Sequence, residues 1–293
     1  MNLYNTENIP EHYSQNEIIN KKLLQKLVNQ SGITVGDLVY DIGAGTGNIT
    51  AALLGKGAMV VAIEKDEQLC LKLKRRFSPC DRVEVCNTDF LQREFSPSAL
   101  YKVFANIPFS RTADIIHMLV FNKAPPEDCY LIVQKEAAEK YTGIPADTLV
   151  SLLIKPLFWV DILYHFNRND FFPVPSVDVV LLQFERRKCW LIPEGQYTLY
   201  KDFVIYCREG TDRTVKQALK NLFSFSQIKQ IFRLLRIDYH ARPTELSFRH
   251  YLCLFQFYTG NDLRNLPLVE RNEARKKDRQ AHGIKGRLPR RNR

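Results

Sequence analysis

Apolar residues in this chain gather into short blocks separated by polar stretches of helical spacing. The blocks at 38–42, 59–63, 83–86, 101–105 and 130–133 read as strands buried on both faces. Between them, 48–54, 66–77 and 112–121 read as helices, and another is expected near 20–29 behind an irregular lead-in. Strand alternating with helix predicts a parallel sheet covered on both sides. Two more strands, 158–164 and 177–184, follow with little helix between them and are expected as an antiparallel pair at the sheet edge. The pattern then changes. Residues 197–208, 214–223, 226–235 and 244–258 all read as helices. The expected organisation is a Rossmann-like, seven-stranded α/β domain at 1–188, a small helical domain at 189–262 and a tail at 263–293.

Composition adds limits to this picture. A hydrophobic content of 45% over 293 residues supports a substantial core. The longest apolar runs are far too short to cross a bilayer, and the first residues lack the basic-then-apolar layout of a signal peptide. A cytoplasmic monomer with no membrane partner is expected. The seven cysteines and six histidines show no metal-ligand spacing, so neither a metal site nor a disulfide framework is expected. The net charge of +10 is unevenly placed: residues 264–293 hold 11 Lys or Arg against 3 acidic residues, a net of +8. With almost nothing apolar to bury, that tail is expected to be disordered alone and to act as a polyanion-binding arm.

The strongest chemical signal is Asp41-Ile42-Gly43-Ala44-Gly45-Thr46-Gly47, at a strand-to-helix turn. Its spacing is GxGxG. The third glycine of the dinucleotide fingerprint is replaced by Asn48, which argues against a nicotinamide-dependent oxidoreductase. An uncharged loop of this kind suits S-adenosylmethionine, which has no pyrophosphate. Glu64, at the end of the second strand, is placed to accept both ribose hydroxyls, and Asp89, after the third, to accept from the adenine amine of that cofactor. Directly after the fourth strand stands Asn106-Ile107-Pro108-Phe109, the pattern of an enzyme that methylates a ring amine. Asn106 would accept a hydrogen bond from the amine through its side-chain oxygen, and Phe109 would stack on the base. In Asn169-Asp170-Phe171-Phe172-Pro173, Phe171 is expected to form a second wall facing Phe109. No large target-recognition domain of the DNA adenine methyltransferase kind is visible.

Taken together, these residues resemble the Erm-type 23S rRNA adenine N-6-methyltransferases, relatives of the small-subunit dimethyladenosine transferases. The likeness covers roughly 10–258 and includes Tyr13-Ser14-Gln15-Asn16, the glycine loop, Ala62-Ile63-Glu64, Thr88-Asp89, the Asn106–Phe109 motif, Phe171-Phe172-Pro173 and Arg242-Pro243-Thr244-Glu245-Leu246-Ser247. It implies a class I methyltransferase fold with a helical RNA-binding domain, and binding of S-adenosylmethionine by Asn16, Ile18, Gly43, Gly45, Glu64, Asp89 and Asn106. It further implies catalytic roles for Asn106, Pro108, Phe109 and Phe171, dimethylation of one adenine of 23S rRNA, and resistance to macrolide, lincosamide and streptogramin B antibiotics. The small-subunit transferases, acting on 16S rRNA, and a noncatalytic RNA-binding factor of the same fold are the alternatives. Two positions depart from the family pattern. Glu17 stands where relatives carry an apolar residue, and Phe109 replaces the commoner tyrosine.

Overall fold

The computed structural model describes residues 16–93, 100–193, 195–209 and 213–260. The expectations for 1–15, including Tyr13 to Gln15, and for the basic tail lie outside the described residues. Along the chain run β1 (Glu17–Ile18), α1 (Lys21–Gln30), β2 (Leu38–Ile42), α2 (Asn48–Lys56), β3 (Met59–Glu64), α3 (Glu67–Phe77), β4 (Val83–Asn87) and β5 (Lys102–Asn106). They continue with α4 (Thr112–Val120), β6 (Asp128–Gln134), α5 (Lys135–Thr142), α6 (Leu149–Ile154), β7 (Phe158–His165), β8 (Phe171–Phe172) and β9 (Val179–Arg186). Four more helices follow: α7 (Tyr197–Arg208), α8 (Val215–Leu219), α9 (Phe225–Leu235) and α10 (Phe248–Tyr258).

Seven strands form one sheet in the order β4-β3-β2-β5-β6-β9-β7. The five strands from β4 to β6 are parallel, and β9 runs antiparallel to β6 from Asp128↔Glu185 to Gln134↔Val179. The continuous apolar runs of the central strands follow from burial on both faces: Val39, Val60, Val103, Phe104, Leu131 and Ile132 are all buried. After β2 the chain builds outward through β3 and β4, then returns to place β5 on the other side of β2. This reversal opens a crevice at the carboxyl ends of β2 and β5, where open α/β sheets take ligands. Beside the sheet, β1 and β8 form a two-stranded antiparallel ribbon, pairing Glu17 with Phe172 and Ile18 with Phe171.

Two compact units divide the described chain. One holds residues 16–138 and 161–186, the other 139–160 and 187–260. Residues 139–160, which hold the end of α5, all of α6 and the first three residues of β7, therefore group with the helical unit, whereas the sequence pattern places them in the sheet domain. Their own contacts explain it. Leu152 is buried in the helical core with Tyr200, Val204 and Phe255, and its carbonyl accepts from the Tyr200 hydroxyl at 2.9 Å. The Phe248 N–H donates to Asp147 at 2.7 Å. The expected helix at 244–258 starts later, at Phe248, because Ser247 and His250 form a reciprocal cap there and Pro243–Glu245 makes only a 3-10 turn.

Candidate active site

The turn after β2 is held by backbone bonds to its neighbour strand: the N–H groups of Gly43 and Ala44 both donate to the Ile63 carbonyl, at 2.9 and 3.1 Å. Gly43, Gly45 and Gly47 all have positive φ, which glycine adopts without a Cβ penalty. Gly47 also cannot carry a side chain, since a Cβ would lie 2.7 Å from Leu73 and from Phe77 of α3. At the end of β3, Glu64 is buried and accepts from the Gly45 N–H (2.8 Å) through one oxygen and from the Asp66 N–H (2.9 Å) through the other. Each oxygen keeps a second lone pair. Asn87 ties the end of β4 to the same corner by donating to the carbonyls of Glu64 (3.0 Å) and Lys65 (3.1 Å). Asp89 caps the following 3-10 turn by accepting from the Leu91 N–H at 3.0 Å.

A cavity of about 940 Å³ opens over this corner. Of the residues singled out from the sequence, Asn16, Ile18, Gly43, Gly45, Glu64 and Asp89 line it, as do Asn106, Pro108 and Phe109 at the end of β5. The Asn106 amide is oriented by its neighbour: Nδ2 donates to the Asn16 carbonyl at 2.7 Å, which leaves Oδ1 as the acceptor end. Asn16 is itself fixed, its Nδ2 donating to the Pro173 carbonyl at 2.7 Å. Ile18 contributes its backbone to the polar framework, its carbonyl accepting from Asn48 at 3.1 Å, while its side chain lies in the core.

Phe171 corrects an expectation. It is only 1% exposed and packs edge-to-face against Phe166 at 5.2 Å, so it presents no face to the cavity. Its neighbour Phe172 is 64% exposed and lines the cavity instead. The reason is strand alternation. Phe171 pairs with buried Ile18 and Phe172 with Glu17, so the two rings point to opposite sides of the ribbon. Sequence reasoning also missed the grip of Glu17 on the glycine loop, for which the isolated acid in an apolar setting was the available signal.

Residues 6–259 match the family described as Ribosomal RNA adenine dimethylase. The chain belongs to the ribosomal RNA adenine dimethylase family. It is an rRNA adenine N-6-methyltransferase, and membership implies S-adenosylmethionine as methyl donor. A Bacteroides fragilis rRNA adenine N-6-methyltransferase is 31% identical over 243 residues, covering 82% of this chain and 90% of that protein. The ribosomal RNA small subunit methyltransferase A of Protochlamydia amoebophila is 29% identical over 253 residues, covering 83% and 88%. Among solved structures, the 23S rRNA methyltransferase ErmE superposes with a TM-score of 0.76 over 83% of this chain and all of that one, at 23% identity. That likeness confirms the Rossmann-like fold with its helical C-terminal region. Among the described residues of this methyltransferase, no helix is long and apolar enough to cross a membrane, and no cluster of His, Cys, Asp or Glu could hold a metal ion.

Beneath the glycine loop lies one further acid. Asp41 is fully buried, accepts from the Thr50 hydroxyl at 2.6 Å, and has no partner among the described residues on its other oxygen. Burial pushes its carboxyl up to about 7; the Thr50 bond opposes this, and the charges of Glu64 and Glu17 add to it. The folded state therefore binds this proton more tightly than the unfolded chain, whose aspartate titrates near 3.8. The stability it contributes is complete below that value and is lost as pH rises through 7. Urea denaturation across pH 4–8 should show the parent losing on the order of a few kcal/mol relative to Asp41→Asn as pH rises. Parallel curves for the two proteins would contradict the shift.

Proposed function

We propose that the cavity binds S-adenosylmethionine and presents it to an adenine of 23S rRNA whose exocyclic amine Asn106 engages. The observation that carries this reading is the Asn106 amide, fixed by Asn16 so that its Oδ1 is the acceptor beside the glycine loop. The lining fits the cofactor. Glu17, Glu64 and Asp89 suit a cationic ligand with hydroxyl and amine donors, and Gly45 leaves the loop bare, since a Cβ there would meet nothing closer than 3.7 Å. Asn16, Ile18, Gly43, Gly45, Glu64, Asp89 and Asn106 hold it, Glu64 through its remaining lone pairs on the ribose hydroxyls. When bound, it supplies an electrophilic methyl group on a sulfonium. A ring amine is a weak nucleophile because its lone pair is delocalised. Accepting a hydrogen bond from one of its N–H groups at Asn106 Oδ1 favours the pyramidal, nucleophilic form and holds it in line. Pro108 opens the 3-10 turn Phe109–Arg111, its carbonyl accepting from the Arg111 N–H at 3.0 Å. The methylated ammonium sheds its proton to water without a dedicated base.

Phe109 and Phe172 hold the base from its two faces in this reading. The two neighbouring phenylalanines then separate stability from activity. Phe171→Ala should cost about 3–5 kcal/mol in urea denaturation. Phe172→Ala should leave stability within about 0.5 kcal/mol and lower RNA methylation by the loss of stacking, worth about 1–3 kcal/mol. Normal methylation by the Phe172 variant would remove that residue from the site. The helical unit and the basic tail supply affinity for RNA. The Asn-Ile-Pro form of the motif and the tail's +8 charge support the 23S branch, with resistance to macrolide, lincosamide and streptogramin B antibiotics as the consequence. The deciding experiment incubates the protein with labelled cofactor and naked 23S or 16S rRNA and maps the product by primer extension. A modified adenine in 16S rRNA alone assigns the small-subunit role.

A further inference from the structure

Glu17 is an acid in a place the family pattern gives to an apolar residue, and the structure puts it on the glycine loop. Three donors converge on its Oε1: the Thr46 N–H at 3.2 Å, the Thr46 hydroxyl, and the Asn48 amide at 3.4 Å. Its Oε2 accepts from nothing among the described residues, and no lysine or arginine there pairs with it. The carboxylate lines the cavity and lies 3.7 Å from where a Gly45 Cβ would stand. Two neighbours fix its place along a ligand. Glu64 accepts from the Gly45 N–H and Glu17 from the next amide along, that of Thr46. Along the chain Glu17 follows Asn16, whose carbonyl orients Asn106. Glu17 thus shares the cavity with Glu64 and Asn106, one loop amide from the contact of the carboxylate assigned to the ribose and one residue from the partner of the amide assigned to the reacting amine. The part of S-adenosylmethionine joined through sulfur to both is the methionine chain. Its sulfonium has no N–H to donate, whereas its α-ammonium has three.

We propose that Glu17 Oε2 accepts from the α-ammonium of the cofactor's methionine chain, a specificity contact added to this protein's site. It rests on the reading that the cavity takes S-adenosylmethionine. The Oε1 bonds keep the carboxylate in place, so the contact needs no rearrangement of the loop.

Calorimetry with two ligands tests it: S-adenosylhomocysteine, and the analogue that lacks only the amino group. A charge-assisted bond should make the parent prefer the first by about tenfold or more. Glu17→Gln keeps an oxygen for Thr46 and should abolish that preference, weakening S-adenosylhomocysteine and leaving the deaminated analogue unchanged. Equal affinity of the parent for both ligands would overturn the proposal without any variant. Retention of the preference by Glu17→Gln would also overturn it and leave Glu17 as a tie between the ribbon and the loop. A parent that binds neither ligand would instead fail the cofactor reading on which the proposal stands.

Discussion

Replacing Asn106 with alanine should reduce methyl transfer to rRNA by on the order of a hundredfold or more, the scale seen when one aimed transition-state hydrogen bond is removed. Affinity for S-adenosylhomocysteine should fall much less. The asymmetry follows from what Oδ1 does. In the proposed reading it accepts from the amine as that group becomes pyramidal, so the bond strengthens on the way to the transition state and appears in kcat. The Nδ2 side matters too, because its bond to the Asn16 carbonyl decides which amide atom faces the substrate. Single-turnover methylation with saturating RNA is the measurement. Turnover near the parental rate would remove Asn106 from the reaction.

Glu64→Ala should have the second large effect, on binding. Each charge-assisted bond from a carboxylate to a ribose hydroxyl is worth about 1.5–3 kcal/mol, so losing two should weaken S-adenosylhomocysteine by on the order of a hundredfold or more. The variant also strips the acceptors from the Gly45 and Asp66 N–H groups, which loosens the loop that carries the rest of the ligand. Glu64→Gln separates the two contributions. It can still accept at one oxygen, but its amide nitrogen must turn a donor towards either a backbone N–H or a hydroxyl. Calorimetry should therefore rank parent, glutamine and alanine in that order, and an unchanged dissociation constant for alanine would exclude Glu64 as the ribose ligand.

The sheet was legible because its strands are buried on both faces. The run Leu38–Ile42 is a strand at the expected bounds, and β3 extends the expected 59–63 by only Glu64. The helices α5 and α6 were not read. Leu149–Ile154 is a six-residue apolar run that resembles a strand; it coils because Thr148 and Ser151 cap each other reciprocally. The glycine loop, Glu64, Asp89 and the Asn106–Phe109 turn converge on one cavity because strand ends on one side of a parallel sheet are neighbours whatever their distance in sequence. Phe171 was misread because two adjacent phenylalanines carry no signal of parity. Only the pairing with Glu17 and Ile18 decides which ring turns inward. Glu17 looked like a blemish in a motif, since its partners Thr46 and Asn48 lie about thirty residues away.

The chain of bonds from Pro173 through Asn16 to Asn106 bears on how this protein can be divided. The large sheet begins at Leu38, and a domain boundary drawn there by eye would retain every one of its strands. Such a fragment would keep the glycine loop and the Asn-Ile-Pro-Phe turn, yet nothing would tell the Asn106 amide which way to face. The orientation of the Asn106 side chain is thus stored in Asn16 and Pro173, the residues that flank the small ribbon outside the sheet. The stretch that the sheet does not need therefore carries both the carbonyl that orients Asn106 and the acid that grips the glycine loop.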